Sequence, residues 1–147
     1  MPFVIRPLKH TDHDAWSVLW KQYLSFYKTD LPNNISSKTW ERLILDDISP
    51  HGLCAVDEHG NIIGFTHYLF HASCWTIGPY CYLQDLFVDT KQRKSGIGKA
   101  LIEAVYQAAD THGADQVYWM TEHDNTRARR LYDQVATLTP FIKYQKP

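Results

Sequence analysis

Apolar residues recur at two different periods along the 147-residue chain, and the switching between them lays out the elements. Residues 3–6 read as a first strand ended by Pro7, after which Ala15, Trp16, Leu19, Trp20, Tyr23, Leu24 and Tyr27 recur at helical spacing. Thr11, with Asp14 three residues on, has the form of a capping box for this helix. Leu31-Pro32-Asn33-Asn34 interrupts the pattern, and Ser36-Ser37 offers a cap for a second helix carrying Trp40, Leu43 and Ile44 before Ser49-Pro50. Segments 53–56 and 62–69 are strand-like and are joined by Asp57-Glu58-His59-Gly60-Asn61, a polar turn suited to a hairpin.

A longer strand, 80–88, follows Gly78-Pro79. After a polar stretch bearing two glycines, Ile97, Ala100, Leu101, Ala104, Val105 and Ala108 fall on one helical stripe that His112-Gly113 stops. Segment 116–120 reads as a strand, 125–135 as a helix, and 141–144, beyond Pro140, as a last strand. Strand, loop, helix, strand, helix in that order predicts a right-handed parallel crossover, hence an α/β (α+β) fold with a mixed central sheet flanked by helices.

The length fits one domain, 1–147, burying about two-thirds of its unfolded surface. No apolar run approaches the roughly 20 residues of a membrane span, and the N-terminus lacks the features of a secretory signal, so a soluble, cytoplasmic protein is expected. Cys54, Cys74 and Cys81 are odd in number, fall in strand-like runs and lack CxxC spacing, which predicts reduced, mostly buried thiols. With 15 Lys plus Arg against 16 Asp plus Glu there is no overall field to gather nucleic acid. His67 and His71 would chelate a metal from a helix, but on a strand they lie about 13 Å apart, and no metal is expected.

Candidate chemistry concentrates at Gln92-Arg93-Lys94-Ser95-Gly96-Ile97-Gly98-Lys99, between a strong strand and an amphipathic helix. Gly96 and Gly98 let the backbone approach an anion closely, the helix start presents about half a positive charge, and Arg93, Lys94 and Lys99 add cations. An ATP-type loop fails at Arg93 and Ala100, and a dinucleotide fingerprint fails at Leu101. These residues alone leave a pyrophosphate cradle and a plain glycine-rich turn both open.

Gln92-Arg93-Lys94-Ser95-Gly96-Ile97-Gly98 resembles the Q/R-x-x-G-x-G/A signature of the GNAT superfamily, the GCN5-related N-acetyltransferases. Tyr82-Leu83-Gln84-Asp85-Leu86-Phe87-Val88 is similar to the family's preceding strand, and Asn125-Thr126-Arg127-Ala128-Arg129-Arg130-Leu131-Tyr132 to its later N-x-x-A-x-x-x-Y helix. The aromatic first helix and Leu31-Pro32 resemble the branch of fungal histone and amino-acid acetyltransferases and, more distantly, of spermidine/spermine acetyltransferases.

The resemblance implies a single-domain GNAT fold whose cofactor is acetyl-CoA. The strand would hold it through Leu86, Phe87 and Val88, with backbone N–H groups facing the acetyl carbonyl. The loop would hold it through Gln92, Arg93, Lys94, Ser95, Gly96, Ile97, Gly98 and Lys99, and the later helix through Asn125, Ala128 and Tyr132. Asn125 has a second reading as a helix cap. Acetyl would pass to a primary amine of a small molecule, a polyamine or amino acid, or to a protein lysine, and relatives imply a homodimer built partly from the C-terminal segment.

Such transfer needs a neutral amine and a proton for the departing thiolate. A primary amine of pKa about 10.4 is neutral about once in 2,500 molecules at pH 7. Relatives often answer with a glutamate on the strand, in Y-L-E-D; here Gln84 stands in its place and cannot take a proton. Asp85 is next, but neighbouring strand residues face opposite sides. Gln84 is then a positioner of amine or water, with Asp85, Glu122 or His123 ending a proton path. Tyr132 is the candidate donor to the thiolate. Trp20, Tyr23 and Tyr27, together with Gln84 and Asp85, are candidates to line an acceptor pocket, the aromatic stripe reading equally as core. Gln84 also motivates a rival reading, a catalytically weak CoA-binding sensor.

Overall fold

The computed structural model describes residues 2–45, 49–92 and 95–147. Strand β1 (Phe3–Pro7) leads through a 3-10 turn into α1 (His13–Phe26) and α2 (Asn33–Ile44). Strands β2 (His51–Asp57), β3 (Ile62–His71) and β4 (Tyr80–Val88) follow, then α3 (Ile97–His112), β5 (Gln116–Tyr118) and α4 (Thr126–Val135). The strands lie in one sheet in chain order, antiparallel from β1 to β4, while β5 joins β4 in parallel through α3.

Strand alternation divides the core between two helical layers. On one face Cys54 and Val56 of β2 and Phe65 of β3 meet Trp16, Leu19 and Trp20 of α1 and Trp40 and Leu43 of α2. On the other, Leu53, Tyr68 and Leu83 meet Ile102, Val105 and Ala109 of α3, and Leu131 and Tyr132 of α4 pack against the same cluster. Trp16 is almost fully buried, and truncating it to Ala is expected to lose about 3–5 kcal/mol. The predicted stripes on α1 and α3 are thus the faces that pack.

Two irregularities in β4 make room for a site. The first is that β5 pairs only with Tyr80, Cys81 and Tyr82, so the two strands part beyond Tyr82. From Leu83 onward one edge of β4 faces a wedge instead of a neighbouring strand. The second is a bulge: His67 pairs with Asp85 but Tyr68 with Leu83, leaving Gln84 as the extra residue. Cys81 and Leu83 pack on the α3 side, whereas Phe87 packs on the α1 side and Asp85 reaches Tyr23 of α1. Strict alternation from Leu83 would put Asp85 on the α3 side, and the bulge instead turns it to the α1 side.

Several local expectations also change. Entry to α1 uses Asp12, not Thr11 with Asp14: the buried Asp12 carboxylate accepts from the Lys9 backbone N–H at 2.6 Å and pairs with both Arg6 guanidinium nitrogens at 2.8 and 3.0 Å. Arg6, foremost by its hydrogen bonds, holds Asp12 below the usual carboxylate range. Helix α2 starts at Asn33 after a Pro32 cap, four residues before a Ser36 cap would start it, and Ser36 inside it accepts from the Trp20 indole at 3.0 Å. Strand β5 stops at Tyr118 where the wedge opens. No strand forms at 141–144: Phe141, Ile142 and Tyr144 are exposed and pair with nothing in the sheet. Cys74 is exposed in the β3–β4 loop, while Cys54 and Cys81 are buried thiols that burial pushes up to about 11.

Candidate active site

Helix α3 begins at Gly96, which has φ 82°, a left-handed conformation that glycine adopts without penalty and other residues at about 1–2 kcal/mol. No side chain caps this helix, and the first intrahelical bond at this end runs from the Ala100 N–H to the Gly96 carbonyl at 3.0 Å. Among the described residues the N–H groups of Ile97, Gly98 and Lys99 therefore have no backbone acceptor, and they open a 16-residue helix where the macrodipole is positive. A Cβ on Gly96 would meet nothing within 4 Å, so the approach is open. One on Gly98 would lie 3.2 Å from Leu131 Cδ2, so this glycine also lets α4 come close.

The turn ahead of the helix is self-bonded. The Gln92 N–H donates to the Asp89 carbonyl at 2.8 Å, and the Ser95 hydroxyl donates to the Gln92 carbonyl. Arg93 and Lys94 lie outside the described residues. The Ile97 side chain is fully buried, so only its backbone can serve a ligand. Lys99 extends along the helix toward Glu103, 3.9 Å away, both side chains more than half exposed.

In the wedge, register decides which backbone groups are available. The Asp89 N–H donates to the Ile63 carbonyl at 2.9 Å, so alternation points the Phe87 N–H at β3 as well and turns those of Leu86 and Val88 toward the wedge. The expectation of donors near Phe87 and Val88 is sharpened to Val88 and Leu86. Asn125 sits at the start of α4, but its amide donates to the Thr121 hydroxyl at 3.2 Å instead of capping the helix. Ala128 is half-buried one turn on, and Tyr132 one turn further meets Trp119 edge-to-face at 5.4 Å. Burial foremost, then Tyr27, pushes the Tyr132 phenol up to about 12, so it holds its proton at neutral pH.

On the acceptor side, the Tyr23 hydroxyl donates to Asp85 Oδ1 at 2.6 Å, and His67 Nδ1 lies 2.9 Å from Asp85 Oδ2. The Trp16 indole N–H donates to His67 Nε2 at 3.0 Å. Tyr23 and Tyr27 meet edge-to-face at 5.1 Å. Burial raises the Tyr23 phenol, helped by Asp85, and raises Tyr27, helped by Glu122 and Asp85. Gln84 is exposed at the bulge, and two residues before it the ring of Tyr82 stacks on that of Tyr118, centroids 5.0 Å apart. His71 accepts from the Tyr118 hydroxyl at 2.8 Å on the same rim.

Trp20 is corrected to core: it is buried, stacked between Trp16 and Tyr23, and its N–H is used by Ser36. His67 and Trp16, which sequence reasoning left out of the site, are hydrogen-bonded into the Asp85 cluster. Among the described residues no three His, Cys, Asp or Glu side chains gather as a metal site.

An uncapped helix N-terminus, a wedge lined by backbone donors, and a phenol and a carboxylate beside it form one cleft, an arrangement that can hold an anionic ligand and pass a proton. Residues 13–136 match the model of the acetyltransferase (GNAT) family, and the chain belongs to that family. It is 40% identical to the D-amino-acid N-acetyltransferase HPA3 of Saccharomyces cerevisiae over 144 residues, 97% of this chain and 89% of that one. Similarity to the L-ornithine N5-acetyltransferase NATA1 of Arabidopsis thaliana is 28% over 125 residues, 85% of this chain and 50% of the relative. Among solved structures, AAC(6')-Iy in complex with the bisubstrate analogue CoA-S-monomethyl-acetylneamine has the same fold. Its TM-score is 0.86 at 21% identity, covering 100% of this chain and 99% of that chain. The protein is an acetyl-CoA-dependent N-acetyltransferase.

Proposed function

We propose that the acceptor is the primary amine of a small molecule, foremost a free amino acid and next a polyamine, and that residues 1–147 work as one catalytic domain. The observation that carries this is the Asp85 carboxylate, held at the α1–β4 junction by Tyr23 with Tyr27 and Tyr82 nearby, a charge and aromatic faces that suit one ammonium group. The likeness to relatives named for D-amino acids and for ornithine supports an amino acid over a protein lysine.

Bound in the cleft, acetyl-CoA supplies an activated acetyl thioester. The orphan N–H groups of Ile97, Gly98 and Lys99 hold its pyrophosphate, and the N–H groups of Val88 and Leu86 receive the carbonyl oxygen as it gains charge. Tyr132 gives its proton to the departing sulfur, Asp85 is the sink for the proton that the ammonium must lose, and exposed Gln84 orients the amine. Thiol release measured across D- and L-amino acids, ornithine, spermidine and a lysine peptide tests the reading. Turnover is expected to be fastest with a free amino acid; turnover on the peptide alone sinks it.

The same proposal includes a homodimer. After α4, Leu138, Phe141, Ile142 and Tyr144 expose 72–90% of their surface, and the outer edge of β5 has no partner strand among the described residues. A tail with strand-like apolar content and an unpaired edge are each supplied with what they lack by a second copy. Light scattering on a chain ending at residue 136 is expected to give a monomer where the full chain gives a dimer. Three unpaired cysteines, one of them exposed, support a reducing cytoplasmic setting, and the near-neutral charge supports a small-molecule partner without nucleic acid.

A further inference from the structure

Four side chains from three elements form an unbroken file from the core to the acceptor mouth: Trp16 and Tyr23 of α1, His67 of β3 and Asp85 of β4. Proton bookkeeping along the file leaves one arrangement. The indole N–H can only donate, so His67 Nε2 accepts and carries no hydrogen. The ring's hydrogen is then on Nδ1 and is given to Asp85 Oδ2. The Tyr23 hydroxyl gives its hydrogen to Asp85 Oδ1, which leaves the phenol oxygen with lone pairs to offer and no hydrogen of its own to spare. The Thr66 hydroxyl donates to the Asp85 backbone carbonyl at 2.8 Å and fixes the strand at this point.

The geometry points to a proton exit in which the acceptor's ammonium gives its proton to the Tyr23 oxygen as Tyr23 gives its own to Asp85, with His67 and Trp16 as positioning residues. The inference rests on the small-amine reading and deepens it by showing how Gln84 can stand where a proton acceptor is expected. His67 is not the sink. Protonating its Nε2 would set two donors against each other at 3.0 Å and strand the Trp16 N–H in the core, where an unmet donor costs about 1–3 kcal/mol. The chain therefore ends at Asp85, whose two oxygens are aimed by Tyr23 and His67 and cannot rotate without losing both bonds.

The step balances. One N–H bond of the ammonium breaks as an O–H bond forms on Tyr23, and the original Tyr23 O–H bond breaks as one forms on Asp85. The freed nitrogen lone pair attacks the carbonyl carbon, and the C–S bond breaks. The sulfur takes the Tyr132 proton, and the second nitrogen proton restores Tyr132. Asp85 returns its proton to water after release. The titratable groups around the exit are Tyr23 of α1, Tyr27 just beyond its end, His67 of β3, Tyr82 of β4, Glu122 beyond β5 and Tyr132 of α4.

The test is the pH dependence of kcat/KM on an amine that the wild type turns over, with acetyl-CoA binding by calorimetry as the check on folding. The wild type is expected to hold its rate well below the amine's own pKa. Asp85→Asn and Tyr23→Phe are expected to follow the neutral amine instead, rising tenfold per pH unit, and to fall about 100- to 1,000-fold at pH 7 with acetyl-CoA affinity kept. His67→Leu should lower kcat about tenfold, and His67→Asn, which can present an N–H at the Nδ1 position, should recover most of it. Nitrogen-15 shifts of the His67 ring should show a hydrogen on Nδ1 and none on Nε2. A Tyr23→Phe enzyme with the wild-type pH profile, or a His67 hydrogen on Nε2, overturns the exit while leaving the acceptor reading intact. A wild type that releases no thiol on any small amine overturns both.

Discussion

The donor side and the acceptor side of this cleft are built from different parts of the polypeptide. Around the start of α3 the functional groups are backbone N–H groups, presented by Gly96 in its left-handed conformation and by a helix without a cap. Around Asp85 they are side chains, and the bonds that organise them span 62, 18 and 51 positions in sequence. A backbone site needs a local pattern and is indifferent to most side chains. A side-chain site needs several elements to arrive together and tolerates almost no change of type. The first kind of construction can be shared across acetyltransferases with unlike acceptors, and under the proposed function the second is where acceptor choice is made.

The most severe test of the division is Tyr132→Phe. Tyr132 stands where the two sides meet, and removing only its hydroxyl is expected to lower kcat by about 10²- to 10⁴-fold while calorimetric acetyl-CoA affinity stays unchanged. The pH dependence has a definite sign. A phenol raised to about 12 keeps its proton above the usual tyrosine range, so the loss of kcat on the alkaline side should lie nearer pH 12 than pH 10. An alkaline loss at pH 9 to 10 would assign the thiolate's proton to another group.

How much of this was legible follows from the same contrast. The order of strands and helices could be read because each depends on periodicity within a dozen residues, and the stripes on α1 and α3 proved to be packing faces. The glycine loop could be read as a strand-to-helix turn because a left-handed residue ahead of a helix is a local demand, which Gly96 meets. Features needing a distant partner could not be. Asp12 serves as the entry to α1 because Arg6 claims its carboxylate, and nothing near Thr11 signals that. The bulge at Gln84 is settled by the pairing of β3 with β4, so strict alternation misjudged Asp85. His67 read as one more apolar-strand histidine because its two partners lie on other elements. Residues 141–144 have strand composition but no strand beside them within one chain.

On the donor side the middle-sized effect is expected at Gly96. With φ at 82° and nothing described within 4 Å of a would-be Cβ, Gly96→Val is expected to act foremost through backbone strain, about 1–3 kcal/mol. If the helix start is the anion cradle, that strain should loosen the turn and weaken acetyl-CoA by about tenfold, with the acceptor KM unmoved. Gly98→Ala separates packing from presentation: its Cβ, 3.2 Å from Leu131, asks α4 to shift by a few tenths of an ångström, and melting temperature should fall before affinity does. Equal losses of affinity at both positions would mean that the cradle depends on the α3–α4 packing and is not a purely local construction.

The smallest effect should come from Lys99→Ala, and its smallness matters to the argument. A lysine at the start of a phosphate-binding helix invites the assumption that its charge does the binding. Yet its ammonium lies toward Glu103 at 3.9 Å with both side chains mostly in water, an arrangement whose contribution to stability is about 0.3–0.5 kcal/mol. The backbone N–H of position 99 survives the substitution, so acetyl-CoA affinity should fall by no more than about two- to threefold, equivalent to roughly 0.5 kcal/mol. Because surface charge is screened, that small loss should vanish as salt is raised, whereas the Gly96→Val loss should not. A tenfold loss at Lys99 that disappears in salt would move the donor site from the backbone to the side chains, and with it the distinction between a transferable half of this cleft and an acceptor-specific one.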